Sequence, residues 1–150
     1  PERVSEACAD AGRDLPGSLH GAEHVLIAAM PLHLLCDRRD LGGVSTPCGN
    51  EGLPAIYLYD GYEGGAGLAE GGYRCFAGIA KTAAGIAGNC TCQDGCPACV
   101  LSPKCGNDNE PMDRDGAALL LRMMAAGPPG GPHIAPRGAG QIQAGTDPAV

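Results

Sequence analysis

The chain has 150 residues and a formal net charge of −7, a balance that excludes a domain gripping nucleic acid by its own field. Sequence-independent affinity for phosphates is carried by clustered Lys and Arg, so any DNA contact here has to be local or shared with another part of a larger assembly. Tryptophan is absent, Phe76 is the single phenylalanine, and 25 glycines and 13 prolines crowd toward the last quarter, so one domain with a modest core is expected. The longest apolar run, residues 25–36, includes Pro31 and His33 and is about a dozen residues long, well short of the roughly 20 that span a bilayer. Nine cysteines without a secretory signal point to free thiols in a reducing cytoplasm, and their odd number argues against a disulfide framework.

In chain order, residues 1–17 are polar and contain Pro16, which reads as a flexible lead-in segment; a first residue of Pro1 suggests a piece of a longer chain. Ser18 is placed to cap a helix over 19–35, apolar nearly all round and kinked at Pro31. Residues 36–43 form a charged turn. Residues 53–60 make the best strand, apolar on both faces, and run into the glycine burst 61–67 and a short helical turn at 68–70. A second helix is expected over 73–87, with Tyr73, Phe76, Ala80, Ala83, Ala84 and Ala87 on one stripe. Asp113 caps a last helix in which Ala117, Leu120, Leu121 and Met124 repeat at i, i+3, i+4 and i+7. From residue 126 the composition is that of a disordered Gly/Pro-rich tail.

The stretch 89–109 holds five of the nine cysteines. Cys96-Pro97-Ala98-Cys99 has the C-x2-C spacing that turns two thiolates toward one tetrahedral ion, and Cys92 and Cys105 flank it. Cys92, Cys96, Cys99 and Cys105 are therefore the expected ligands of one structural Zn2+, a closed site with no open position for water. Cys90, the remaining cysteine of the stretch, is the substitute. The resulting fold class is α+β, rich in helix, with a small β-sheet and a four-cysteine zinc loop.

Three other features carry chemistry. His20-Gly21-Ala22-Glu23-His24 fits H-x-x-E-H, in which two imidazoles one helical turn apart reach one metal of a hydrolase. No downstream Glu is marked out as a third ligand, and the bland alternative is that Glu23 and His24 make buried hydrogen bonds. The glycine turn after the 53–60 strand resembles a phosphate-cradling loop, but it lacks Lys-Ser or Lys-Thr and has Glu70 where G-x-G-x-x-G needs glycine. Lys104, Arg38 and Arg114 are the candidate nucleic-acid contacts, and Lys104, between Pro103 and Cys105, is the best phosphate candidate because a metal-ordered loop would hold it. No Ser/His/Asp or Cys/His nucleophile set emerges.

These blocks taken together carry a resemblance. They are His20-x-x-Glu23-His24; Cys36-Asp37-x-x-Asp40-Leu41-Gly42-Gly43; Tyr59-Asp60-Gly61-Tyr62-x-Gly64-Gly65-Ala66-Gly67-Leu68-Ala69-Glu70; and Cys92-x-x-Gly95-Cys96-Pro97-x-Cys99-x-x-Ser102-Pro103-Lys104-Cys105-Gly106-Asn107. In this order they resemble the C-terminal zinc-binding domain of MrfA-like DEAD/DEAH-box DNA helicases over about residues 18–125. The resemblance implies an accessory domain held by one zinc and attached to a superfamily 2 motor that translocates on DNA in repair. Its partners would be the motor domains of the same parent chain, with DNA contacted weakly or jointly. The ATPase motifs of that family are not in this chain, so no activity is expected of it alone. A stand-alone zinc module for protein–protein contacts and an H-x-x-E-H metallohydrolase are the competing readings.

Overall fold

The computed structural model describes residues 2–127. Its helices are α1 (Glu2–Asp10), α2 (Leu15–Ala29), α3 (Leu68–Arg74), α4 (Phe76–Asn89) and α5 (Arg114–Ala126). Strands β1 (Leu41–Thr46) and β2 (Ala55–Asp60) pair antiparallel, in a register running from Leu41↔Asp60 to Thr46↔Ala55. Short 3-10 turns occupy Met30–Leu32, Arg38–Asp40 and Asn50–Gly52.

Helix α2 is the central element and begins earlier than Ser18 would place it. Asp14 takes the capping role: its carboxylate accepts from the Gly17 N–H at 2.7 Å, and Pro16 sits in the first turn, where its missing N–H costs nothing. Ser18 is instead fully buried and donates its hydroxyl to the Asp14 carbonyl at 2.6 Å. At the other end Pro31 stops the helix outright, since it lacks an amide and its ring collides with the preceding turn; the chain tightens into the 3-10 turn and leaves Leu32 and Leu35 exposed. Between these limits every residue from Gly17 to Leu26 is buried, as the all-round apolar pattern predicts.

The core gathers on this helix. Leu19, Ala22, Val25, Leu26 and Ala29 meet Leu41 of β1, Ile79, Ala83 and Ala87 of α4, and Ala117, Leu120 and Leu121 of α5. The alanines of α4 let it lie close to α2 and α5. The segment read as a flexible lead-in contains α1, which packs on α2 and α5 and sends Cys8 into the core at 1 % exposure. The expected helix over 73–87 is two helices that change direction at Cys75, whose φ of −111° and ψ of 21° are not helical. Tyr73 and Phe76 consequently face outward, and Ile79 takes the core position their stripe implied.

Strand β1 lies where a charged turn was expected to end, its Gly42 and Gly43 giving it no β signal. β2 is one-sided and not apolar-buried on both faces: Ile56 and Leu58 pack against the core, while Tyr57 and Tyr59 are exposed beside Val44. At the end of β2 the Asp60 carboxylate accepts from the amides of Ala66, Leu68 (3.1 Å) and Ala69 (2.6 Å). The amides of the presumed phosphate cradle are therefore filled by the chain's own anion, and these bonds, Ala69's foremost, hold Asp60 below the usual carboxylate range.

Asp113 caps α5 as the sequence indicates, accepting from Gly116 N–H at 2.8 Å, and it also accepts the Asp14 N–H at 3.0 Å. Ala117, Leu120 and Leu121 are buried; Met124 is half-buried. The two caps thus interlock the starts of α2 and α5. The tail assigned to residues 126–150 falls, from residue 128 on, outside the described residues. No described helix is long and apolar enough to cross a membrane.

Two outcomes follow from the interlocked helix starts. Asp113→Ala removes the cap of α5 and the partner of Asp14 together, and is expected to lower stability by about 1–2 kcal/mol in urea titrations, with Asp113→Asn recovering most of it. A Cβ at Gly116 would lie 1.8 Å from Ser18 Oγ and 2.8 Å from Ser18 Cβ. Overpacking of about 1–3 kcal/mol then outweighs the gain of roughly 1 kcal/mol from alanine in a helix, so Gly116→Ala destabilises in the same titration.

Candidate metal centre

Four sulfurs converge where α4 ends. Cys90 leaves the helix in an extended conformation, and the chain then curls back through Gly95, at φ +114°, into the turn that carries Cys96 and Cys99. Glycine is required at 95: the φ is left-handed, and a Cβ there would lie 2.6 Å from Val100 Cγ2. The Sγ separations are 3.4 Å for Cys90–Cys92, 3.6 Å for Cys90–Cys96, 3.5 Å for Cys92–Cys99 and 3.6 Å for Cys96–Cys99. All four lie within 4.8 Å of one another.

These distances suit a metal and not a disulfide. A tetrahedral zinc with Zn–S bonds of about 2.3 Å sets its sulfurs about 3.8 Å apart, whereas an S–S bond is about 2.05 Å. The Cys96 N–H also donates to Cys99 Sγ at 3.3 Å, a bond that favours thiolate. The Cys92 N–H and the neighbouring thiols lower Cys90 to about 7, while burial pushes Cys99 up to about 12 and also raises Cys92, so the four do not all ionise near neutrality by themselves. The cluster is positioned to hold one metal ion.

Of the expected ligands Cys92, Cys96, Cys99 and Cys105, the first three lie together and their fourth neighbour is Cys90. Cys90 stands in the cluster and Cys105 does not. Residues two apart in an extended segment share a face, so Cys90 and Cys92 turn their sulfurs the same way as the chain leaves α4, to 3.4 Å from each other.

Cys105 lies instead with His20 and His24, the three offering ligand atoms within 4.8 Å of one another. The His20 Nδ1–H donates to the Pro111 carbonyl at 2.9 Å and the His24 Nδ1–H to the Val100 carbonyl at 2.8 Å; a carbonyl only accepts, so the proton is on Nδ1 in both rings. Cys105 Sγ is 3.3 Å from His20 Nε2. Burial lowers the His24 pKa, outweighing the opposite effect of its carbonyl bond. Cys105 thus stands beside the two histidines for which the H-x-x-E-H reading marked out no third donor. The signal for it was present in the sequence: five cysteines in one loop leave one over from a four-sulfur site.

Glu23, buried on the same helix, lines a cavity of about 630 Å3 together with these three residues, Arg38 and Lys104. The Lys104 ammonium donates to the carbonyls of Arg38 at 3.1 Å and Leu41 at 3.2 Å, tying the metal-loop side of the chain to the start of β1. Arg114 is elsewhere. Its guanidinium donates to the Cys90 carbonyl at 2.6 Å and the Ala87 carbonyl at 3.4 Å, and pairs with Asp115 at 2.5 Å, so it braces the four-cysteine loop from α5 and shares no face with Arg38 and Lys104.

Comparison with known proteins agrees with this geometry. Residues 22–100 match the family model described as the MrfA Zn-binding domain, a stretch that contains the four clustered cysteines and ends before Cys105. The chain is 37 % identical over 110 residues to the uncharacterized protein MJ1572.1 of Methanocaldococcus jannaschii, covering 71 % of this chain and 98 % of that protein. It is 42 % identical over 83 residues to the uncharacterized ATP-dependent helicase YprA of Bacillus subtilis, covering 55 % of this chain and 11 % of that one. The crystal structure of the DUF1998 helicase MrfA bound to DNA matches with a TM-score of 0.59 at 36 % identity, over 73 % of this chain and 14 % of the helicase. The chain therefore spans nearly all of the archaeal relative and a small part of each helicase. With its four-sulfur cluster and this agreement over more than half its length, the chain belongs to the MrfA Zn-binding domain family.

Proposed function

We propose that the domain is a structural zinc module of an ATP-dependent DNA helicase, acting in DNA repair in the cytoplasm, with Cys90, Cys92, Cys96 and Cys99 as the ligands. The observation that carries the reading is that a 42 %-identical copy occupies 11 % of a helicase chain, the proportion of an accessory domain. When bound, zinc supplies charge neutralisation for four crowded thiolates, and with four sulfurs it has no site for a reacting water. The residues do the rest. Cys99 and Val100 enter the core, Val100 accepts from His24 of α2, and the Cys90 carbonyl accepts from Arg114 of α5, so ordering the loop orders both helices.

The domain's part in the helicase is architectural: its assembled face braces the motor and helps guide the strand. The net charge of −7 fits DNA contacts shared with the motor, to which Arg38 and Lys104 contribute from one side of the cavity. Val44, Tyr57, Tyr59 and Tyr62 form an exposed apolar strip on and beside the hairpin that suits a protein neighbour. A second reading, a separate zinc module that contacts other proteins, is favoured by one fact: the domain spans 98 % of its archaeal relative.

The test is unwinding by the helicase that carries this domain, with the domain intact, with Cys96→Ser, and with the domain removed. Cys96→Ser is expected to release the zinc of the four-sulfur cluster, to reduce the helical circular dichroism and to lower unwinding as far as removal does. Unwinding that is indifferent to all three forms would refute the accessory role and leave the separate module. The isolated chain should bind single-stranded DNA only weakly, with a Kd on the order of 10−4 M at physiological salt; submicromolar binding would contradict shared contacts.

A further inference from the structure

We propose that His20, His24 and Cys105 form a second metal site, for one zinc-like divalent ion, separate from the four-cysteine cluster. The site brings together side chains 85 residues apart in sequence, from α2 and from the loop after the cysteine turn. Two imidazoles and one thiolate are a borderline-soft donor set, the chemistry that selects zinc over magnesium or calcium.

Each donor is prepared for a metal by its surroundings. Both rings give their Nδ1 proton to a backbone carbonyl, at 2.9 Å for His20 and 2.8 Å for His24, which fixes the tautomer and leaves the Nε2 lone pair free. That outer hydrogen bond is the usual partner of a metal-bound histidine. Around Cys105 the loop is wound tightly, with Asp108 and Asn109 at φ +53° and +62°, and the N–H groups of Asn107 and Asn109 both donate to Sγ, at 3.4 Å and 3.3 Å. The Ser102 N–H donates to Asn109 Oδ1 at 2.7 Å and closes the loop. Two amides are thus aimed at one sulfur, an arrangement that a bare thiol–imidazole hydrogen bond does not need.

The dimensions agree. The 3.3 Å from His20 Nε2 to Cys105 Sγ is close to the roughly 3.5 Å edge set by Zn–N and Zn–S bonds of about 2.0 and 2.3 Å at a tetrahedral angle. Three protein ligands leave a fourth position, and these residues line the cavity that Glu23 also lines, so water or an anionic ligand has access to it. An ion here would join α2 to the 102–109 loop directly.

The experiment counts metal on the full chain, purified without chelator and saturated with Zn2+, and reads its ligands by X-ray absorption and by the visible spectrum of the Co2+ form. The parent is expected to hold two ions, one with only sulfur neighbours and one with mixed nitrogen and sulfur. Cys105→Ser and His20→Gln should each weaken one ion by more than about 100-fold, since loss of even an outer-shell partner costs 10–100-fold, with the all-sulfur signature kept. Cys96→Ser should remove the other, which keeps failure of this site distinguishable from failure of the four-cysteine assignment. One ion with purely sulfur neighbours in the parent, or two ions indifferent to Cys105→Ser and His20→Gln, would overturn the proposal. The parent's mixed-ligand signature decides the matter even if a variant does not fold.

Discussion

Four cysteine sulfurs held 3.4 to 3.6 Å from their neighbours are the constraint on which the second half of the molecule depends. Four thiolates so close repel one another, and a soft cation at the centre would resolve that repulsion. The loop is short and contains the sterically exacting Gly95, so holding the sulfurs also fixes the backbone of residues 90–100. From there the order spreads by ordinary contacts: Val100 and Cys99 into the core, the Cys90 carbonyl to Arg114, the Val100 carbonyl to His24. A core without tryptophan gains from such a pin more than a heavier core would.

The helices that flank the centre are tied independently at their starts. Asp14 caps α2 and Asp113 caps α5, and the Asp14 amide bonds to Asp113, with Arg13 reaching the same carboxylate at 3.6 Å. These are partly exposed groups, and their contribution is one of geometry: Gly116 sits against Ser18 so closely that any side chain intrudes. The metal loop and the crossed caps therefore fix α2 and α5 from two sides, and α4, lined with alanine, fills the remaining space.

What the sequence revealed of this fold followed the strength of local signals. The C-x2-C pair, the Asp113 cap and the i, i+3, i+4 repeat of α5 are local chemistry, and each reads directly from neighbouring residues. α1 was hidden because its apolar face is little more than Val4 and Cys8, meaningful only once α2 and α5 are there to receive it. β1 was hidden by Gly42 and Gly43, which say nothing about strands and are small because Tyr59 and Glu23 press on them. The exchange of Cys105 for Cys90 arises from the same limit. Proximity along the chain made Cys105 the natural fourth ligand, whereas the path of the backbone out of α4 brings Cys90 inward and carries Cys105 across to α2.

Buried polarity shows where that path leads. Among the described residues the buried polar side chains are Ser18, His20, Glu23 and His24, all within the first turns of α2. Burying such groups is costly unless each finds a partner, and a helix needed only for packing would carry apolar residues there. Ser18 finds the Asp14 carbonyl within its own helix start, and the partners of the two histidines come from residues that follow the cysteine turn: Val100, Cys105 and Pro111. Hence the polar face of α2 is matched to the loop that continues from the sulfur cluster. The sulfur cluster and the histidines of α2 are joined by one short run of backbone, and those two polar residues are tolerable in the core because that run supplies their partners.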